Sequence, residues 1–226
     1  MRRCNRKKRV ILGLTGHRPD KLGDNAYETR APIKDWCQRE FAKVMRKVKP
    51  AVVISGMALG WDQWAGQVAL GMGADLWAYI PFEGQESRWW SESRQLYWLM
   101  LQSAKVVKTI CSPGYAPWKM QKRNEAVVDD CTLLCSLWNG DLFGGTFNCI
   151  EYANEVGRER INIDPVEGLK FIEEKERAMA ELVRKNGGGH VSYKRLRWKY
   201  HPPVYELTDK HVGVSAVALA DDDLPF

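Results

Sequence analysis

Three stretches of this chain combine glycine with small polar residues directly after a short apolar run. They are Thr15-Gly16-His17-Arg18-Pro19, Ser55-Gly56-Met57-Ala58-Leu59-Gly60-Trp61-Asp62 and Asn139-Gly140-Asp141-Leu142-Phe143-Gly144-Gly145-Thr146. Glycine lets the backbone approach a ligand closely and turn its N–H groups toward it. A helix that begins at such a loop adds partial positive charge, which suits a phosphate. A lone glycine loop after a strand is as readily a plain turn. Three of them on one edge of a sheet point to a bound ligand.

Other residues carry two readings each. His17 is either a ligand contact or a turn histidine bonded to backbone. Asp62 either contacts the ligand or caps a helix that begins near Trp61. Trp89 and Trp90 offer faces for a base, although packing of their own loop is favoured. Asp129-Asp130 has no further acid nearby, so a solvated pair at a helix end is preferred to a metal pair. Six cysteines (Cys4, Cys37, Cys111, Cys131, Cys135 and Cys149) are scattered without a CxxC, and no histidine stands near Cys131 and Cys135. This predicts reduced thiols and no metal site.

The loops need a scaffold, and the apolar pattern supplies one. Short runs at 9–15, 51–55, 76–80, 106–110, 133–138 and 160–163 are mostly continuous and rich in β-branched residues. Such runs suit strands buried on both faces. Amphipathic stretches at 31–48, 61–72, 91–103, 118–130 and 146–157 alternate with them. The alternation predicts an α/β fold with a mainly parallel sheet flanked by helices. In such sheets ligands bind outside the carboxyl ends of the strands, where the three loops fall. Asp164-Pro165 starts one more helix, with Asp as cap and Pro in the first turn. Leu169, Ile172, Met179 and Val183 give it an apolar stripe, and it ends before Gly187-Gly188-Gly189, the clearest linker.

The segments TGHRPDKLG, ISGMALGWDQWAGQVAL, IPFEGQE through SRQLYWLM, MQKRN…VVDD and LWNG…GGTFNCIEYA follow one another in that order. Together, over about residues 9–160, they resemble the YspA/YpsA-like branch of the SLOG superfamily. The resemblance implies a Rossmann-like fold and a nucleotide or nucleotide-derived ligand, with no cofactor required. SGMALGWD is similar to the SGxAxGID stretch of DprA proteins, which help load recombinase on single-stranded DNA. LOG-type phosphoribohydrolases carry PGGxGTxxE, whose amides hold phosphate and whose Glu serves N-glycosidic cleavage. Gly144-Gly145-Thr146 matches part of that loop, but the position of the Glu holds Cys149, and Glu151 is two residues further on. Arg123, in Met120-Gln121-Lys122-Arg123-Asn124, resembles the arginine of the LOG M-x-x-R-K stretch. The implied roles are Arg123 on phosphate, Asp62 or Glu83 on ribose or base, and Glu151 as an acid or base if cleavage occurs. The residues expected around the ligand are therefore Gly16, His17, Arg18, Ser55, Gly56, Met57, Gly60, Asp62, Glu83, Arg123, Asn124, Asn139, Gly140, Gly144, Gly145 and Thr146.

The 226 residues carry a formal charge of +6, unevenly placed. Residues 1–9 and residues 182–201 each hold +6 with no acid, residues 202–226 hold −4, and the middle is close to neutral. Lys194, Arg195, Arg197, Trp198 and Lys199 alternate cations with aromatics, which suits either single-stranded DNA or an edge strand with a basic face. Asp221-Asp222-Asp223-Leu224-Pro225-Phe226 closely resembles the acidic tip of bacterial single-stranded-DNA-binding proteins. That resemblance implies a partner that takes the Phe in an apolar pocket and grips the acids with basic residues.

The expected organisation is a basic arm (1–8), a Rossmann-like domain (9–185), a linker with a basic and aromatic extension (186–220) and a partner-binding tip (221–226). The leading function is nucleotide-ligand binding in a protein tied to DNA repair or replication through its tip, as would suit a phage or mobile element. A DprA-like single-strand binder and a LOG-like phosphoribohydrolase are the alternatives. No run is long enough to span a membrane and no signal peptide is recognisable, so a cytoplasmic location is expected, with pairing into a homodimer or higher oligomer open.

Overall fold

Val10 to Leu14 form an unbroken apolar run, and such a run is most stable at the centre of a sheet with layers on both faces. A computed structural model, which describes residues 9–23 and 31–185, places it there. β1 (Ile11–Gly16) lies between β2 (Val52–Ser55) and β5 (Leu133–Leu137). β3 (Asp75–Ile80), β4 (Val106–Thr109) and β6 (Arg160–Ile163) complete a six-stranded sheet in the order β4-β3-β2-β1-β5-β6. Every pairing is parallel, with Leu12 opposite both Val53 and Leu133. The fold is therefore α/β and Rossmann-like.

The chain steps outward from β1 to β4 and then returns to β5, on the other side of β1. Strand order reverses between β1 and β5, which makes that crevice the topological switch point. The helices are α1 (Pro32–Val48), α2 (Trp61–Gly71), α3 (Ser91–Ser103), α4 (Pro117–Asp130), α5 (Gly145–Glu155) and α6 (Pro165–Lys185). Alternate residues of a strand face opposite layers. Leu12 and Leu14 face Phe41 and Met45 of α1 and Trp61, Ala65 and Val68 of α2, with Leu169 and Ile172 of α6 against the same cluster. On the opposite face Val52, Ile54 and Leu134 pack with Val127 and Val128 of α4 and Cys149 and Ala153 of α5. α3 joins the α2 side through Tyr97 and Met100 on Leu76 and Ala78.

The helix that Asp164-Pro165 was expected to open does begin at Pro165, and Asp164 Oδ1 accepts the Val166 N–H at 2.9 Å. Two strands depart from the expected burial on both faces. β4 is exposed along its length, and β6 is exposed at Arg160 and Asn162 with Ile163 buried. Both are edge strands, each with one neighbour instead of two. Among the described residues no helix is long and apolar enough to cross a membrane.

Candidate functional site

Because all six strands run the same way, the loops after β1, β2, β3 and β5 gather on one edge. At the switch point the loop after β1 is stitched to the loop after β5. The His17 N–H donates to Leu137 O at 3.1 Å. The His17 ring Nε2 lies 2.7 Å from Asn139 Oδ1 and 3.2 Å from the Asn139 N–H. Asn139 Oδ1 in turn accepts the Asp141 N–H. His17 is thus a buried turn histidine bonded to a backbone amide, one of its two expected readings, while Arg18 beside it is exposed.

The β2–α2 loop is held from inside. Ser55 Oγ donates to Asp62 O at 2.8 Å and accepts the Met57 N–H. Met57 is fully buried yet has a φ of 57°, a left-handed conformation uncommon for a residue with a side chain. Gly60, at a φ of 87°, is the cap residue just before α2; a Cβ there would strike Pro19 and the His17 carbonyl. Asp62 is not the cap of α2, one of its two expected readings: the cap position is Gly60, which has no side chain to offer. Asp62 turns back instead, accepting the Ala58 N–H at 3.3 Å and pairing with Arg123.

That ion pair is the centre of the site. Arg123 Nη1 of α4 lies 2.8 Å from Asp62 Oδ2, with side chains only 7% and 6% exposed. The guanidinium lies over Gly56, where a Cβ would come within 1.2 Å of Nη1, so the loop residue under it must be glycine. Burial pushes the Asp62 carboxyl up, and Arg123 pulls it back toward the charged form. Arg123 Nε is buried and has no partner among the described residues. The neighbouring Asn124 donates to Gly145 O at 3.2 Å, tying α4 to the start of α5. Cys149 is buried within reach of the pair and hydrogen-bonded to Thr15; burial pushes its thiol up to about 11. Glu151 is exposed on the same helix.

The β3–α3 loop holds a residue that the sequence reading missed. Glu83 is exposed, whereas Gln85 and Glu86 are buried. Gln85 Nε2 donates to the Tyr97 hydroxyl at 3.3 Å. Burial above all, with Glu86 adding to it, pushes the Tyr97 phenol up to about 12. Glu86 Oε2 is buried without a partner among the described residues. Two acids three residues apart in a loop give no periodicity that would tell the inward one from the outward one. Trp89 packs edge-to-face on Tyr97 with ring centroids 5.5 Å apart, as favoured from sequence, and Trp90 is exposed.

The β5–α5 loop presents backbone to open space. Gly144, at a φ of 91°, is the cap residue before the first residue of α5, Gly145, and makes no side-chain cap bond. A Cβ at Gly140, Gly144 or Gly145 would meet nothing within 4 Å. Thr146 follows, and Leu142 and Phe143 stand exposed beside it, with Lys21 Nζ 4.9 Å above the Phe143 ring. Asp129 and Asp130 lie elsewhere, at the exposed end of α4, bonded to Tyr152 and Tyr79. Residues 1–8, the basic and aromatic segment with Lys194 to Lys199, and the tip 221–226 lie outside the described residues.

Residues 12–164 match the family profile described as the YspA SLOG family. A UPF0398 protein of Bacillus cereus strain B4264 is 25% identical over 155 residues, covering 65% of this chain and 84% of the relative. A UPF0398 protein of Bacillus thuringiensis strain Al Hakam is 24% identical over the same shares. Among solved structures, DNA processing protein A of Helicobacter pylori is similar at a TM-score of 0.49 and 14% identity, covering 78% of this chain and 81% of that one. DNA processing protein A of Streptococcus pneumoniae is similar at 0.45 and 19% identity; the match covers 68% of this chain and spans half of that protein. The molybdenum cofactor binding protein of Rippkaea orientalis is similar at 0.45 and 12% identity, covering 74% and 84%. At these identities the likenesses concern fold alone.

Proposed function

The chain belongs to the YspA SLOG family, and we propose that it binds a nucleotide or nucleotide-derived ligand at the carboxyl edge of its sheet. The observation that carries the reading is the β5–α5 loop. At the switch point, Gly144 caps α5 without a side chain, Gly144 and Gly145 are both exposed, and a Cβ at either would meet nothing within 4 Å. The N–H groups of a helix's first turn lack partners inside the helix and bear partial positive charge, so they suit a phosphate. Arg18 adds an exposed cation nearby, on the loop stitched to this one by His17 and Asn139.

The reading stops at binding. The acid expected for N-glycosidic cleavage is replaced by the buried, neutral Cys149, and Glu151 sits on the exposed side of α5. The test is calorimetry with inorganic phosphate, the four ribonucleoside 5′-monophosphates and ADP-ribose. At least one nucleotide binds the wild type, and Gly145→Asp, which places a carboxylate in the phosphate position, abolishes that binding. Absence of heat with every nucleotide refutes the reading.

The sequence of the tip supports a second, separate role. Asp221-Asp222-Asp223-Leu224-Pro225-Phe226 joins an aromatic anchor to a run of acids. That chemistry fits proteins that recognise the tail of single-stranded-DNA-binding proteins, with an apolar pocket for the ring and cations for the acids. Deleting Phe226 abolishes capture of such proteins from solution; undiminished capture refutes this role.

A further inference from the structure

The edge where the strands begin, opposite the glycine loops, carries an open cavity of about 370 Å³. It forms where the exit of α1 meets the turn between α2 and β3. Lys49, at a φ of 51°, turns the chain out of α1 with its N–H on Met45 O at 2.8 Å, and Pro50 then leads into β2. Met45, Pro50, Ala51 and Met72 give the cavity an apolar lining, and Arg46 and Lys49 add two cations to it. Met45 and Pro50 are buried, whereas both cations are exposed. Neither cation pairs with an acid among the described residues. An apolar hollow beside two unpaired cations suits an apolar side chain that has acids next to it.

The chain after Lys185 offers five aromatic anchors: Tyr193, Trp198, Tyr200, Tyr205 and Phe226. Tyr193, Trp198 and Tyr200 stand beside Lys194, Arg197 and Lys199, which the cations of the cavity repel. Tyr205 has one adjacent acid, Glu206, whereas Phe226 follows the run Asp221-Asp222-Asp223. The cavity is at the small end of the ~300–1,000 Å³ range of ligand pockets, which suits one ring and its neighbour better than a longer segment. α6 starts beside α1, with Gly168 against Trp36, and Leu169 and Ile172 carry the packing on. It therefore runs back along α1 and hands the chain over on the edge that holds the cavity. Residues 186–226 can reach ~130 Å when extended, against a sheet of six strands only ~25 Å broad.

We propose that this cavity holds the chain's own tip, with Phe226 against Met45 and Met72 and the three aspartates drawn to Arg46 and Lys49. Tethering makes the contact intramolecular, so a contact that is weak between separate molecules suffices. A docked tip is withheld from other proteins, and capture of a partner then requires its release. The proposal goes beyond the two roles above, and docking itself needs neither the nucleotide nor the partner.

The test is NMR of the full chain with isotope-labelled methionine methyl groups. In wild type the Phe226 ring displaces the Met45 and Met72 signals. Phe226→Ala moves both, while those of Met57 and Met100, which belong to another cluster of the core, stay in place and report an intact fold. The displacement is the same after dilution. In an Arg46→Gln/Lys49→Gln background, Phe226→Ala moves the two signals by less than half as much, because the cations no longer hold the tip; this double-mutant comparison isolates the coupling of ring and charges. Signals of Met45 and Met72 unmoved by Phe226→Ala overturn the proposal. So does a displacement that fades on dilution, which would seat the tip of a second copy there, and so does an equal effect of Phe226→Ala with and without the two cations. Each of these failures leaves nucleotide binding and partner capture standing.

Discussion

Replacing Arg123 by Met removes the cation from the pair at the heart of the site and leaves Asp62 with one backbone donor, the Ala58 N–H at 3.3 Å. Removing one partner of a buried pair costs about 3–5 kcal/mol, because the remaining charge is buried and uncompensated. Two features of Asp62 soften this. Its carboxyl is already pushed up by burial, so it takes a proton more readily than an ordinary aspartate, and Ala58 still serves it. The expected loss is therefore about 3 kcal/mol at pH 7.5. Gly56→Ala reaches the same state by another route. Its methyl group would stand 1.2 Å from Nη1 and 2.7 Å from Asp62 Oδ2, so the guanidinium must leave. The double variant Asp62→Leu/Arg123→Met buries no charge, and at least half of the loss returns. Raising a folded-state carboxyl pKa gives stability that is present at low pH and lost as pH rises through that pKa. The deficit of Arg123→Met is accordingly smaller at pH 5 than at pH 7.5. Urea titration followed by tryptophan fluorescence measures all of this, since Trp36, Trp61 and Trp64 are buried. A loss below about 1 kcal/mol in Arg123→Met, or a double variant no more stable than the single one, would sink the argument that an unpaired buried charge sets the cost.

Gly145→Asp has open space for its side chain and a backbone that any residue adopts, so its unfolding midpoint stays within error of wild type while nucleotide binding is lost; a large shift in the midpoint would show a structural glycine instead. The buried thiols are a pH probe. Cys131 and Cys149 are pushed up to about 11 and Cys135 to about 12, each by burial, from an ordinary value of 9.0. Their contribution to stability is whole below pH 9 and falls as the pH climbs through 11 to 12. In a Cys4→Ser protein at pH 8, a thiol reagent modifies Cys111 first and the buried cysteines only on unfolding; rapid modification of Cys149 in the folded protein contradicts this. Removal of Phe226 leaves nucleotide binding unchanged while it abolishes partner capture, because the proposed roles belong to separate parts of the chain, and calorimetry on the truncated protein checks it.

Much of the fold was legible because its signals are local. Continuous β-branched runs marked the strands, and Asp164-Pro165 marked the start of α6 with its cap in place. The errors fell where a neighbour decides. Val106 and Val107 read as interior strand residues, yet β4 is an edge, and no run of four residues records how many strands flank it. Asp62 read equally as a cap or a ligand contact, because its partner Arg123 lies 61 positions away.

The sequence by itself determined the order of strands and helices, and it placed three glycine loops at strand ends. Backbone dihedral preference and apolar period act over a few residues, and those are what a sequence displays. Only the tertiary structure decided what the loops meet. It put β5 beside β1, and so joined His17 to Asn139 across the switch point. It seated Arg123 on the bare face of Gly56, exposed Glu83 and buried Glu86. Which of two nearby acids loses its water depends on the layers that close around it, and that packing is fixed by strands far apart in the chain.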